Sequence, residues 1–317
     1  MSKKKPYKGE KAHAPDAPVR NPFLPLIYLS FFLSGTAGLM YEIVWMRLLT
    51  LSFGSMVFAV GAVLSSFMAG LALGNFFFGR AADTWRRPLL GYALLEAGIG
   101  LTAFLVPPLL NLARRAAIGY GGATSSFMGQ ALLTFGLSFI VLMIPTALMG
   151  GTLPVISRAL IRRNKDVAGK VGALYSLNTF GAVLGVALAG LLILPKIGLR
   201  NTMLLAVAIN LVVAVAVGIL SLPLRVPVAP RSDAPTRRRL KPAYTSGLVL
   251  AFAIGFSGLA SMIYEVSWSR SLALVIGSSI YAFNTMLLSF IFGIGLGSLV
   301  FALLFRKKAP SLALFSY

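Results

Sequence analysis

The chain has 317 residues, 57% of them hydrophobic and 12% charged, with a formal net charge of +21 and no cysteine. Soluble domains carry about 25% charged residues, so a water-soluble globular protein is excluded, and disulfides and thiolate metal sites go with it. The basic residues lie in short stretches between apolar runs, as membrane topology requires, which argues against nucleic acid as their partner.

Residues 1–21 form a basic, proline-containing stretch read as a disordered cytoplasmic tail, and it holds the single histidine, His13. Eight runs of bilayer-crossing length follow, at 23–49, 55–79, 88–111, 127–157, 168–194, 201–223, 245–273 and 279–304. The first run lacks a small-residue cleavage site and reads as a retained helix. Residues 225–243, "RVPVAPRSDAPTRRRLKPA", are polar, proline-rich and basic, and read as a cytoplasmic linker. It separates a first six-helix part, 22–224, from a second part, 244–308, that contains two helices; 309–317 is a terminal tail. With the N-terminus inside, 23 of the 29 Lys and Arg residues fall on the cytoplasmic side and six on the other. Both termini are therefore expected in the cytoplasm.

The stretch "SGTAGLMYEIVWMR" at 34–47 returns as "SGLASMIYEVSWSR" at 257–270. At a constant offset of 223, residues 34–74 align with 257–297 without a gap, matching Tyr41 with Tyr264, Glu42 with Glu265, Trp45 with Trp268 and Arg47 with Arg270. Shared hydrophobicity explains matched leucines but not matched Glu, Trp and Arg. Six helices separate equivalent points, so the copies share one orientation. Parallel repeats of this kind describe the two halves of major facilitator (MFS) transporters. The fold expected is an all-α polytopic membrane protein with an MFS-like parallel repeat, six helices in the first half and two of the second. The chain then ends in "RKKAPSLALFSY", and the expectation is a fragment, with a shortened version as the alternative.

Only three of the eight acidic residues, Glu42, Glu96 and Glu265, fall within apolar spans. A charged side chain at mid-bilayer costs on the order of 3 kcal/mol, so each is expected to face protein or a cavity. Glu42 and Glu265 occupy equivalent places and would make a negative pair suited to a cation or a proton. The competing reading is a structural lock fixing helices 1 and 7. Arg47, five residues on, is too far around the helix for an ideal pair with Glu42 and is expected either to bend back to it or to pair with a neighbouring helix, with Arg270 its counterpart in the repeat. Tyr41 and Trp45, whose counterparts are Tyr264 and Trp268, are placed near the outer interface, where aromatic belts occur. Glu96 is read as buried opposite a basic group or lining a cavity, with Gly98 and Gly100 permitting close helix approach. The glycines of "GLALG" (70–74), its copy "GIGLG" (293–297) and "GAVLGVALAG" (181–190) read as helix-packing positions. Asn178 and Thr179 read as interhelical hydrogen-bonding groups or pathway lining. No nucleophile–base pair, cofactor loop or metal cluster can be assembled, so no catalytic, cofactor or metal residue is assigned.

After helix 2, "GRAADTWRR" places Gly79, Asp83 and Arg87 as in the loop between helices 2 and 3 of major facilitator proteins, where an Asp and nearby Arg residues can form a charge relay. Together with "SFMAGLALGNFFFGRAAD", "YALLEAGIG", "IPTALMGGTLPVISR" and "LYSLNTFGAVLGVALAGLLILPKIGLR", these motifs resemble the membrane region of bacterial fused MFS/spermidine synthase proteins over roughly residues 25–305. In that family a soluble aminopropyltransferase-like domain follows the membrane part, and none of its glycine-rich or acidic motifs is found here. The resemblance implies an inner-membrane protein that transports polyamine-type cations or anchors polyamine enzymology. The alternative is a purely structural module for a separate aminopropyltransferase. The partners it implies are the lipid bilayer, a soluble aminopropyltransferase domain or subunit, and a polyamine or other cation.

Overall fold

In lipid, every backbone N–H and C=O must be satisfied within the protein, and apolar runs of this length achieve that only as helices. A computed structural model of the chain describes residues 23–121, 126–160, 167–222, 244–277 and 279–304. The expected tails at 1–21 and 309–317 and the 225–243 linker lie outside the described residues. The described residues are helical, with no strand: α1 (Leu24–Phe53), α2 (Met56–Ala82), α3 (Pro88–Gly121), α4 (Phe127–Leu160), α5 (Val167–Ala187), a π-helical turn (Leu188–Ile193), α6 (Leu194–Ser221), α7 (Tyr244–Ile276) and α8 (Ser279–Leu304).

Among the described residues, seven helical segments are long and apolar enough to cross a membrane, where the sequence predicted eight. The difference lies in Lys170–Ser221, which is a single helical segment of 52 residues. A straight helix of that length would reach about 78 Å, more than twice the hydrocarbon thickness. Gly198, at φ 77° and ψ 173°, breaks it into two limbs. The first lies along α1, with Gly181 against the Phe32 carbonyl and Gly185 against that of Thr36. The second lies along α3 in the opposite sense, Gly100 beside Leu211 and Gly218 beside Ala93. The sequence boundary at 194–201 brackets this break.

Small residues set the other close contacts. Gly70 and Gly74 on α2 press against Thr146 and Ala147 on α4, and Gly150 and Gly151 return the contact against Leu71 and Phe78. Thr146 Oγ1 donates across this seam to the Ser66 carbonyl at 3.1 Å. The matching Gly293 and Gly297 on α8 meet nothing, and in this second copy it is Gly295 that packs, against Thr179 and Phe180 on α5. There α8 lies antiparallel on α5, through Phe180–Phe292, Ser176 Oγ–Ser298 Oγ at 3.2 Å and Asn284 Nδ2–Gly190 O at 3.2 Å. Leu51, Phe77, Leu94, Leu112 and Leu132 are exposed around the helices, a surface compatible with a lipid surround.

Candidate functional site

The repeated stretch builds the same local structure twice. Tyr41 stacks on Trp45 (centroids 5.3 Å, planes 13° apart) and Tyr264 on Trp268 (5.5 Å, 16°). The i, i+4 spacing puts each pair on one helix face. Each copy also ends on a left-handed glycine, Gly54 at φ 66° and Gly277 at φ 74°, whose N–H caps the carbonyl four residues back at 3.0 Å. Their surroundings differ. Tyr41 and Trp45 are fully buried, with Trp45 against Phe67, whereas Tyr264 is 55% and Trp268 50% exposed. The first pair is therefore core, not an interfacial belt as the sequence suggested, because α6 and α2 cover it.

Each copy also carries a carboxyl next in sequence to its tyrosine. Glu42 on α1 is 5% exposed and Glu265 on α7 is 2% exposed, and they lie close enough to repel each other. Met262 and Val266 seat this part of α7 against the core that holds Ile43, Val44 and Met46. Neither carboxyl accepts a hydrogen bond or ion pair among the described residues. The expected partners are not in place: Arg47 is half-buried and Arg270 exposed, and neither forms a salt bridge among the described residues. At five residues apart, Arg47 and Glu42 leave α1 in different directions. Two buried carboxyls without a hydrogen bond or ion pair among the described residues, near enough to feel each other's charge, make a site with a demand for positive charge. Trp45 Nε1, also buried without a hydrogen-bond partner, lies one turn along the same helix.

Glu96 is fully buried, and it is not opposite a basic group. Asn210 Nδ2 on α6 donates to Glu96 Oε2 at 2.5 Å, and Tyr41 Oη donates to Asn210 Oδ1 at 2.8 Å. Ser34 and Tyr92 hydroxyls flank the same carboxyl. Gly98 and Gly100 do allow the approach, since an added methyl would crowd Leu148 at 3.1 Å and Leu211 at 3.3 Å. The sequence reading missed Ser34, Tyr92, Asn210 and Asn284. Asn210 and Asn284 stood out by the same signal as Asn178, an amide inside an apolar run.

The remaining predicted residues are not gathered into either site. Asp83 caps the end of α2, exposed and without an ion pair among the described residues, and Arg87 is exposed beyond it. Gly79 packs near Pro154. The expected charge relay is thus not formed; nearby Arg80 instead lies over the Phe76 ring at 3.6 Å. Thr179 Oγ1 returns to the Tyr175 carbonyl of its own helix at 2.8 Å, and Asn178 packs against Gly35. Neither makes an interhelical side-chain hydrogen bond among the described residues.

With this geometry in hand, similarity narrows the chemistry. The chain is 28% identical over 209 residues to a protein of Streptomyces coelicolor named polyamine aminopropyltransferase 2. The match covers 64% of this chain and 36% of that relative. No protein-family model and no solved structure matches the chain. The chain is therefore a multi-helix protein of membrane-crossing composition, weakly similar to a polyamine aminopropyltransferase.

Proposed function

We propose that this chain is a bacterial inner-membrane module that binds polyamine-type cations at Glu42 and Glu265 and moves them across the bilayer. The observation that carries this reading is the pair of buried carboxyls, contributed by α1 and α7, that have no hydrogen bond or ion pair among the described residues. Each isolated charge costs on the order of 3 kcal/mol at membrane depth, and mutual repulsion adds to that. An organic amine brings positive charge and donors together, and so relieves both at once. The exposed Tyr264–Trp268 stack on α7 offers an aromatic face for the methylene stem and ammonium group. The relative's name supports polyamines as the cation class.

The recurrence of the Tyr–Trp stack and the glycine cap at the 223-residue offset supports an MFS-like parallel repeat as the architecture. Both termini are cytoplasmic on this reading, from the basic-residue bias. A second reading, that the module places or regulates a separate aminopropyltransferase, is favoured by the similarity to a protein named for that activity. Uptake of labelled spermidine into vesicles containing the protein separates the two. Loss of uptake in Glu42→Gln and Glu265→Gln, at unchanged membrane abundance, supports transport. Absence of uptake in the unmutated protein, with co-purification of an aminopropyltransferase, supports the second reading and defeats the first.

A further inference from the structure

We propose that Glu96, Tyr92 and Ser34 form a second cation site, specific for a small hard monovalent cation such as sodium and separate from the Glu42–Glu265 pair. Glu96 and Tyr92 are both 0% exposed, and Glu96 Oε1 and Tyr92 Oη are buried without a hydrogen bond of ordinary geometry among the described residues. Ser34 and Tyr92 nevertheless stand beside the carboxyl, so three oxygens converge from α1 and α3. The other half of the Glu96 carboxyl is already committed. Asn210 donates to Oε2, and Tyr41 occupies Asn210 Oδ1, which fixes the amide with its NH2 toward Glu96. Oε1 is therefore held facing the two hydroxyls.

The chemistry of this donor set selects its ligand. All the donors are oxygen, with no nitrogen or sulfur, which suits hard cations and not zinc or copper. There is one carboxylate and no Lys or Arg partner, so a monovalent ion leaves the cluster neutral, while a divalent ion leaves an uncompensated buried charge. The fit differs from that at Glu42 and Glu265, where two carboxyls suit an organic amine carrying more than one charge. Four of the five side chains here come from α1 and α3, with Asn210 from α6 bracing them. A bound ion ties those three helices together.

The test is thermal unfolding of the full chain in detergent at fixed pH and ionic strength, exchanging choline chloride for sodium chloride. A ligand that binds only the folded state stabilises in proportion to the logarithm of its concentration above Kd, so the midpoint is expected to climb steadily from about 1 to about 100 mM sodium. The climb should vanish in Glu96→Gln and shrink in Tyr92→Phe and Ser34→Ala, while Glu42→Gln keeps it. Tyr92→Phe and Ser34→Ala keep the proposal testable if Glu96→Gln does not fold. Equal midpoints in sodium and choline, including a midpoint that follows pH alone, overturn the proposal, as does a sodium response that survives in all three variants. Spermidine binding at the other site plays no part in this readout, so the two proposals fail independently.

Discussion

One motif occurs twice in this chain with opposite packing, so the same substitution should change stability in opposite directions. Gly74 on α2 and Gly297 on α8 are equivalent positions of the repeat. A methyl at Gly74 lands on the backbone of Ala147, which cannot swing aside, whereas a methyl at Gly297 meets nothing. Alanine gains about 1 kcal/mol over glycine in a helix interior. Overpacking against a backbone costs about 1–3 kcal/mol, and prising α2 from α4 also weakens the Thr146–Ser66 hydrogen bond, worth roughly 1 kcal/mol. Gly74→Ala is thus expected to destabilise by roughly 1–3 kcal/mol, and Gly297→Ala to stabilise by up to about 1 kcal/mol. Loss of helical signal on SDS titration of the purified variants measures both. Effects of the same sign and size at the two positions would refute the packing difference.

Three other outcomes are expected. Asn210→Leu removes the donor to a buried carboxyl and should cost about 1–3 kcal/mol by the same titration, while Tyr41→Phe, one bond further out, costs about 1 kcal/mol. In this cysteine-free chain, Ser176→Cys with Ser298→Cys should form a disulfide under mild oxidant, read as loss of both thiols to a maleimide, since the two hydroxyl oxygens lie 3.2 Å apart. Reporter fusions after Arg87, Ser232 and Lys308 should all give cytoplasmic signals, and a periplasmic signal from any of them contradicts the basic-residue argument.

The helices were legible because lipid leaves an apolar run of this length one way to satisfy its backbone. The break near Gly198 was legible as a boundary. That the break is a single residue was not, because one glycine at positive φ turns the chain without a polar loop. Of the sites, the carboxyl pair was readable as a repeated Glu in an apolar span. The Glu96 cluster was only half readable, since Asn210 is 114 residues away and becomes its neighbour only when α6 lies back along α3. The burial of Trp45 was misjudged because sequence gives the depth of a residue along its helix, not which face neighbouring helices cover. The same limit explains why Gly74 and Gly297 looked alike.

The central claim is that Glu42 and Glu265 together hold one polyamine-type cation. Equilibrium binding of labelled spermidine to the protein in lipid nanodiscs tests it most directly. The account predicts saturable binding with one spermidine per chain, abolished in Glu42→Gln and in Glu265→Gln, unchanged in Asp83→Asn, and weakened but not abolished in Trp268→Phe. Spermidine binding that persists in the Glu42→Gln, Glu265→Gln double variant would contradict it.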